Sequence, residues 1–137
     1  DAMYDSFKVR VPFSRWKPSV LRDYCDYGLL PAAAFGEAGD DFRLACPAAV
    51  EASVYSGYRQ SDITDQAASL DLPVTVMRAG VRPDHPNSPQ IGISPFWPGL
   101  AAYMRRAEDV FLPDLAHAIP MEDPDVVASH ILRLWKS

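Results

Sequence analysis

The chain has 137 residues, of which 48% are hydrophobic and 23% are charged, the size and composition of one ordinary folded domain. Its formal net charge is −5 at pH 7, and its basic residues are scattered along the sequence. A nucleic-acid partner is therefore not expected, because binding a phosphate backbone requires a concentrated basic face. No apolar run approaches the roughly 20 residues needed to cross a bilayer, so no membrane partner is expected either.

The two cysteines, Cys25 and Cys46, lack the spacing of a metal site or of a disulfide framework. They are predicted to be reduced, buried thiols, which together with the lack of a signal peptide predicts a cytoplasmic protein. The sequence predicts no cofactor and no metal ion. The chain begins at Asp1 with DAMYDSFKVR, which is typical of the inside of a helix, so we expect it to be processed or to be the later part of something longer.

Prolines and glycines divide the first half of the chain into helical patterns. Pro18 opens a pattern that Gly28 ends, and Pro47 opens a second pattern that Gly57 ends. Proline in the first turn and glycine just past the end are typical of helix boundaries. Residues 1–71 are therefore predicted to form a mostly helical segment.

The remaining elements follow from changes in hydrophobic period and from proline and glycine boundaries. They are a short strand at 42–46, a helix from Ser61 to Leu70, a buried strand at 72–80, a helix at 97–106, a strand that starts at 108 and a helix at 124–136.

The final helix carries its own start signal and a packing stripe. Asp123 can cap it and Pro124 occupies its first turn. The stripe that we expect to be buried consists of Val127, Ile131, Leu134 and Trp135.

Strand, helix, strand and helix in succession over residues 72–137 predict a parallel α/β sheet with helices on its faces. Functional side chains in such sheets project from loops at the carboxyl ends of the strands. His117 falls in the loop after the second strand, and Asp84 falls in the loop after the first. The two side chains are predicted to meet, with the carboxylate holding one imidazole nitrogen while the other nitrogen faces a reacting group.

The segment FLPDLAHAIPMEDPDVVASHIL resembles the C-terminal end of α/β-hydrolase fold enzymes. In that family a strand leads into a loop with the catalytic histidine, followed by an apolar pair, a proline, a methionine or similar residue, an acid and a final amphipathic helix. LPVTVMRAG resembles the strand before the acid loop, and SPFWPGLAAYMRRAEDVFLP resembles the helix and strand that lead to the histidine.

Further upstream, FSRWKPSVLRDYCDYGLLP and LACPAAVEASVYSGYR resemble the helical lid that some of these enzymes insert between core strands. The resemblance therefore covers nearly the whole chain. It implies a lid over residues 1–71 and the C-terminal part of the hydrolase core over residues 72–137.

The family uses a nucleophile, an acid and a histidine, in that chain order. The resemblance implies that His117 is the general base and acid and that Asp84 orients its ring. It also implies a partner, the N-terminal half of the same protein, because no Ser or Asp of this chain sits between glycines as a nucleophile elbow requires. The chain alone is therefore expected to be inactive.

Several alternatives remain open at this point. The spacing from Gly80 to Asp84 departs from the commoner G-x-x-D arrangement, so the acid can instead follow an earlier strand outside this chain. The nucleophile can be Ser or Asp, and relatives with Asp act on epoxides or carbon–halogen bonds. A metal site built from Asp84, His85 and His117 follows no known ligand spacing. His130 is interpreted as a helix-surface residue.

Two other aspartates near the histidine are assigned no catalytic role. Asp114 is interpreted as a turn residue, and Asp109 is expected to precede the second strand, at the end away from the histidine.

Ten of the fifteen aromatic residues lie within the first 60 positions. A lid rich in aromatic side chains favours a small apolar or aromatic substrate. The expected activity is hydrolysis of an ester, lactone or similar bond, with the imidazole of His117 facing a covered cleft. The alternative is a non-catalytic member of the fold that binds a ligand or partner, and an isolated helical interaction module is disfavoured because its sheet would be too small.

Overall fold

The computed structural model describes residues 2–58, 63–81 and 98–135. Its helices are α1 (Ala2–Phe7), α2 (Pro18–Tyr27), α3 (Ala48–Tyr58), α4 (Thr64–Ser69), α5 (Leu100–Tyr103), α6 (Ile119–Glu122) and α7 (Pro124–Trp135), with 3-10 helices at Phe13–Arg15 and Ala32–Phe35. Its strands are β1 (Leu29–Pro31), β2 (Phe42–Leu44), β3 (Val74–Ala79) and β4 (Ala107–Leu112). The fold is therefore mixed α/β, as predicted at that level.

Strands β3 and β4 form a two-stranded parallel sheet, in register from Val74 opposite Ala107 to Ala79 opposite Leu112. This confirms both strands and their parallel pairing. Because parallel strands point the same way, the segments that follow β3 and β4 leave the sheet at the same edge. That edge is where the sequence places His117 and the start of the loop with Asp84.

One face of the parallel sheet is covered by α5. The cluster there contains Val76, Leu100 and Ala101, with Val74, Met104 and Ala107 packed against it. Helix α5 is shorter than predicted, because Met104 already adopts an extended conformation with φ −95° and ψ 152°. Trp97, at the expected start of this helix, lies outside the described residues.

The other face of the sheet is contacted by α7. The helix begins as predicted, and the amide of Val126 donates a hydrogen bond to the capping carboxylate of Asp123 at 3.1 Å. The predicted stripe is only half right. Val127 and Leu134 are half-buried, but 61% of Ile131 and 87% of Trp135 are exposed.

The orientation of α7 explains that error. His130 and Arg133 both contact the carboxylate of Glu108 in β4, so the helix turns this side toward the sheet. Ile131 and Trp135 lie on a neighbouring side of the helix and therefore point away from the sheet. The hydrophobic period correctly predicted an amphipathic helix. The contacts of His130 and Arg133 with Glu108 determine which side of that helix faces the sheet.

The N-terminal segment forms a second packed region around α2. Pro18 and Gly28 mark its ends as predicted, and it buries Leu21 and Cys25. Aromatic rings surround it: the ring centroids of Phe7 and Phe13 are 4.5 Å apart, and those of Trp16 and Tyr24 are 5.4 Å apart in an edge-to-face contact. Such pairs add stabilisation beyond simple burial.

The segment between α2 and α4 packs less tightly. Strands β1 and β2 pair antiparallel, which confirms the short strand predicted at 42–46. Helix α3 begins directly after Pro47 as predicted but continues through Gly57 to Tyr58, so that glycine does not end it. Cys46 is exposed, which makes the prediction of a buried thiol wrong for this residue.

Helix α4 starts later than the sequence suggests. Ser61, the expected cap, lies outside the described residues, and Ile63 occupies the cap position without a side-chain hydrogen bond. The hydroxyl of Tyr103 in α5 donates to the carboxylate of Asp65 at 2.7 Å, which connects α4 to the sheet region.

Candidate functional site

His117 lies in the loop that follows β4, between Leu112 at the end of the strand and Ile119 at the start of α6. Its side chain is exposed, and no described residue forms a hydrogen bond or ion pair with its ring. The predicted location past the carboxyl end of the strand is therefore observed. Within the described residues the side chain of His117 is exposed, whereas the sequence predicts that it faces a cleft covered by residues 1–71.

The end of β3 is joined to the histidine loop by backbone hydrogen bonds. The amide of Gly80 donates to the carbonyl of Leu112 at 2.9 Å, and the amide of Val81 donates to the carbonyl of Leu115 at 3.0 Å. The chain after β3 therefore runs beside the loop to within two residues of His117. Asp84 itself lies outside the described residues, as do His85 and the rest of 82–97.

Close approach at this point requires a glycine. A Cβ atom added to Gly80 would lie 2.5 Å from Cα and 2.8 Å from the carbonyl oxygen of Pro113. These atoms belong to the backbone of the histidine loop, so they cannot move aside without moving the loop. Gly80 thus sets how near the two strand ends lie to each other.

The residues on either side of His117 are held in place although its ring is exposed. The amide of Ala116 donates to both carboxylate oxygens of Glu122 at 3.2 Å. The carbonyl of Ala118 accepts the amides of Met121 and Glu122 at 2.8 and 3.1 Å. Ala116, the residue directly before His117, is buried, and its small side chain suits that position.

Glu122 is the central acceptor of the loop, and only 3% of its side chain is exposed. Its carboxylate also accepts from Nε of Arg15 at 3.0 Å. The guanidinium of Arg15 donates a second hydrogen bond, from a terminal nitrogen to the carbonyl of Asp114 at 2.8 Å. A buried carboxylate is stable only when it is paired and hydrogen-bonded in this way.

Lys17 adds two further contacts from the same N-terminal segment. Its amide donates to the carbonyl of Met121 at 2.9 Å, and its ammonium group contacts the carboxylate of Asp125. That hydrogen bond, together with charge attraction, raises the pKa of Lys17 above its usual value. Residues 15–17 therefore lie directly against the loop and against the start of α7.

A second ionic group lies on the sheet face that α5 covers. Arg78 forms two parallel hydrogen bonds to Asp109, at 2.6 and 2.7 Å, and its guanidinium lies 5.0 Å from the ring centroid of Phe111. The hydrogen bond from Arg78 lowers the pKa of Asp109. Asp109 is the third residue of β4, so the expectation that it precedes the strand is wrong; its carboxylate is engaged with Arg78 within the sheet.

His130 belongs to a different cluster, at the amino ends of the same strands. Glu108 accepts from the hydroxyl of Thr75 at 2.8 Å and contacts both Arg133 and His130. Only 18% of the His130 side chain is exposed, so it is a contact residue between α7 and the sheet rather than a free surface residue. The hydrogen bond from Thr75 lowers the pKa of Glu108, and the charge of Arg133 adds to this effect.

Sequence reasoning found the histidine but missed the two residues that hold its loop. Glu122 appears in the quoted segment only as an acid after Pro120 and Met121. Arg15 lies 107 residues earlier than Glu122, and no local pattern connects them. Asp114, interpreted as a turn residue, does lie in a turn, and its carbonyl is one of the acceptors of Arg15.

The described part of the chain offers neither a metal site nor a membrane-spanning helix. Within it, no three His, Cys, Asp or Glu side chains are placed together so that they could hold a metal ion. The helices that the structure describes are each too short or too polar to cross a bilayer.

Comparisons of the chain with protein-family models, with curated proteins and with solved structures found no match.

Proposed function

We propose that the chain is the C-terminal part of an α/β-hydrolase fold enzyme that cleaves an ester, lactone or similar bond in a small apolar or aromatic molecule. The observation that supports this most is the hydrogen bond from Val81 to Leu115 at 3.0 Å. It joins the carboxyl ends of two adjacent parallel strands, and one of the two connecting segments carries an exposed histidine. This is the arrangement in which a histidine and an acid from neighbouring loops can act together.

Asp84 is the proposed acid. It follows Val81 by three residues, and three residues of extended chain span at most about 11 Å. Val81 is hydrogen-bonded to Leu115, which is itself two residues before His117. An acid attached at this distance can reach one nitrogen of the imidazole ring, hold its orientation and stabilise its protonated form.

His117 is the proposed proton carrier. An imidazole can accept a proton from a nucleophile or from water and return it to a leaving group at the same pH. Its exposed ring on a firmly held loop supports this role, because the group is accessible while its backbone is fixed. The nucleophile and the backbone amides that would stabilise a developing oxyanion are proposed to come from the N-terminal half of the same protein.

The small size of the sheet supports such a partner. Parallel sheets are normally buried on both faces and contain more than two strands, whereas the described parallel sheet has two. Beside it, α7 exposes Ile131, Leu132 and Trp135. Further strands beside the sheet and a helix against these side chains would complete a hydrolase core. The free thiols of Cys25 and Cys46 fit a cytoplasmic location.

A lid role is proposed for residues 1–71. Aromatic and aliphatic side chains in its middle part are exposed, including Leu30, Phe42 and Val54. Apolar surface of this kind would suit the cover of a site for an apolar or aromatic substrate.

The test uses the protein extended to include the proposed N-terminal half, with the 137-residue chain as comparison. We expect the extended protein to hydrolyse a 4-nitrophenyl ester and to react covalently with a fluorophosphonate probe, and the short chain to do neither. Turnover of an epoxide or haloalkane without labelling would indicate an Asp nucleophile. Ester turnover by the short chain, or no turnover of any of these substrates by the extended protein, would overturn the proposal; ligand binding without turnover would support a non-catalytic member of the fold.

A further inference from the structure

We propose that Arg15 is a positioning residue, which fixes the loop that carries His117 by bridging its two ends. For the role of His117 itself this inference rests on the proposed function, but the bridging can be tested without any turnover. The bridge is defined as Arg15, Glu122 and the carbonyl of Asp114.

The two hydrogen bonds of Arg15 go to opposite sides of the histidine. One ends at the carbonyl of Asp114, three residues before His117, and the other at the carboxylate of Glu122, five residues after it. A guanidinium presents its donors in a rigid planar fork, so two acceptors bound by one group are held at a fixed separation. A residue of the N-terminal segment thereby fixes the separation between the two ends of the loop.

Glu122 transmits this contact to the backbone beside His117. Its carboxylate accepts the amide of Ala116 on both oxygens, while Arg15 supplies its counter-charge. Because only 3% of the Glu122 side chain is exposed, water cannot easily replace the arginine as its partner. Loss of Arg15 should therefore make Glu122 turn toward solvent, and Ala116 would lose its acceptor.

The rest of the segment has contacts that do not depend on Arg15, so we expect it to remain attached when Arg15 is removed. The backbone hydrogen bond from Lys17 to Met121 and the aromatic contacts of Phe13 and Trp16 with Tyr24 do not involve the guanidinium. The expected effect of removing it is a local loosening of the loop rather than unfolding of the segment. A general structural anchor would instead weaken the whole region together.

The experiment compares the variants R15A, R15K and E122Q of the 137-residue chain by NMR, with R10A as the matched control. Arg10 is an exposed arginine in the same segment, and its side chain forms no hydrogen bond or ion pair with the described residues. The readouts are the exchange rate of the Ala116 amide and the order parameter of His117. The amide of Leu21, which donates to the carbonyl of Lys17 within α2, reports on general opening.

We expect R15A to speed exchange of the Ala116 amide about ten-fold or more relative to that of Leu21, because a hydrogen bond to a charged group is lost. It should also lower the order parameter of His117, while R10A changes neither. R15K keeps the charge but lacks the fork, so it should restore part of the protection. E122Q should reproduce most of the effect of R15A.

Unchanged exchange at Ala116 in folded R15A and E122Q would overturn the bridge, and so would equal acceleration at Ala116 and Leu21. Should R15A fail to fold, the same two outcomes apply to R15K and E122Q. In the extended protein, R15A is expected to lower kcat about 10–100-fold with little change in KM, because a small displacement of a reacting group has effects of this size. Selective loosening without ester turnover in the parent protein would retain the bridge and reject the proposed function.

Discussion

The two histidines that the structure describes are held in different ways. His130 lies in α7 with 18% of its side chain exposed, and its ring contacts Glu108 and Arg133. His117 has an exposed ring without a described partner, but the backbone on both sides of it is fixed by hydrogen bonds. In the first case the side chain is used by the fold, and in the second the fold holds the backbone and leaves the side chain available.

This difference also separates the two ends of the parallel sheet. At the amino end, the polar groups Thr75, Glu108 and Arg133 satisfy one another and attach α7 to β4. At the carboxyl end, the amide of Gly80 joins the two strand ends and Glu122 holds the backbone of the loop, and neither contact uses the imidazole. A protein that needs a reactive side chain in a defined position requires this second arrangement, because rigid support without occupation preorganises the group.

The largest expected effect follows from exchanging the two histidines for alanine. In the extended protein, H117A should lower kcat/KM about 10²–10⁴-fold, because general acid–base catalysis contributes this much. H130A should leave turnover close to that of the parent protein, since its ring contacts Glu108 away from the loop. The measurement is ester hydrolysis, with circular dichroism to check that both variants are folded. Equal losses in the two variants would remove the distinction between the histidines.

A second test adds a methyl group at the carboxyl end of the sheet. G80A should cost about 1–3 kcal/mol of stability, as overpacking does, and should shift the NMR signals of His117, because the new Cβ meets the backbone of Pro113. The control is G36A. Gly36 has φ +75° with no atom near its Cβ position, so alanine there should cost about 1–2 kcal/mol through conformation alone.

The two glycine variants are therefore expected to lose stability on a similar scale, measured by urea unfolding. Only G80A should change the signals of the loop from Leu112 to Ala118. Unchanged loop signals in a folded G80A variant would contradict the close approach of the two strand ends.

The smallest expected effect concerns pH and the amino end of the sheet. The hydrogen bond from Thr75 lowers the pKa of Glu108 below its usual value of 4.5. A carboxyl with a lowered folded-state pKa stabilises the protein above its unfolded pKa, and this contribution is lost as the pH falls through the folded-state pKa. When the pH is lowered from about 5 to about 3, the free energy of unfolding should therefore decrease less in E108Q than in the parent protein.

A companion variant identifies the cause of this pH dependence. T75V removes the hydroxyl but keeps the carboxylate of Glu108, and it should also reduce the slope. Urea unfolding at a series of pH values measures both variants. Identical slopes in the parent and in E108Q would show that this cluster contributes nothing to acid unfolding.

Local signals predicted most of the elements near the candidate site. Pro18 and Gly28 marked the ends of α2, the β-branched run beginning at Val74 marked β3, and Asp123 capped α7 as expected. Each of these depends on residues within one turn or one strand, where sterics and hydrogen bonding act over short distances. The location of His117 after β4 could be predicted for the same reason.

Predictions that depended on packing between distant elements were less successful. The apolar stripe of α7 was predicted from its hydrophobic period. In the structure, Arg133 contacts Glu108 on the side of α7 that faces the sheet, and Ile131 and Trp135 are exposed. Gly57 was expected to end α3, which instead continues to Tyr58. A single glycine inside a helix costs only about 1 kcal/mol relative to alanine, so it does not force an end.

The sequence by itself determined the mixed α/β class, the order of its main strands and helices, and the position of His117 in a loop past a strand end. Only the tertiary structure decided that Glu122 and Arg15 hold that loop and that the ring of His117 stays exposed while His130 is engaged. The physical reason is the distance along the chain over which each interaction acts. Backbone conformation responds to neighbouring residues, whereas a hydrogen bond between Arg15 and Glu122 exists only after the chain has folded and brought its two ends together.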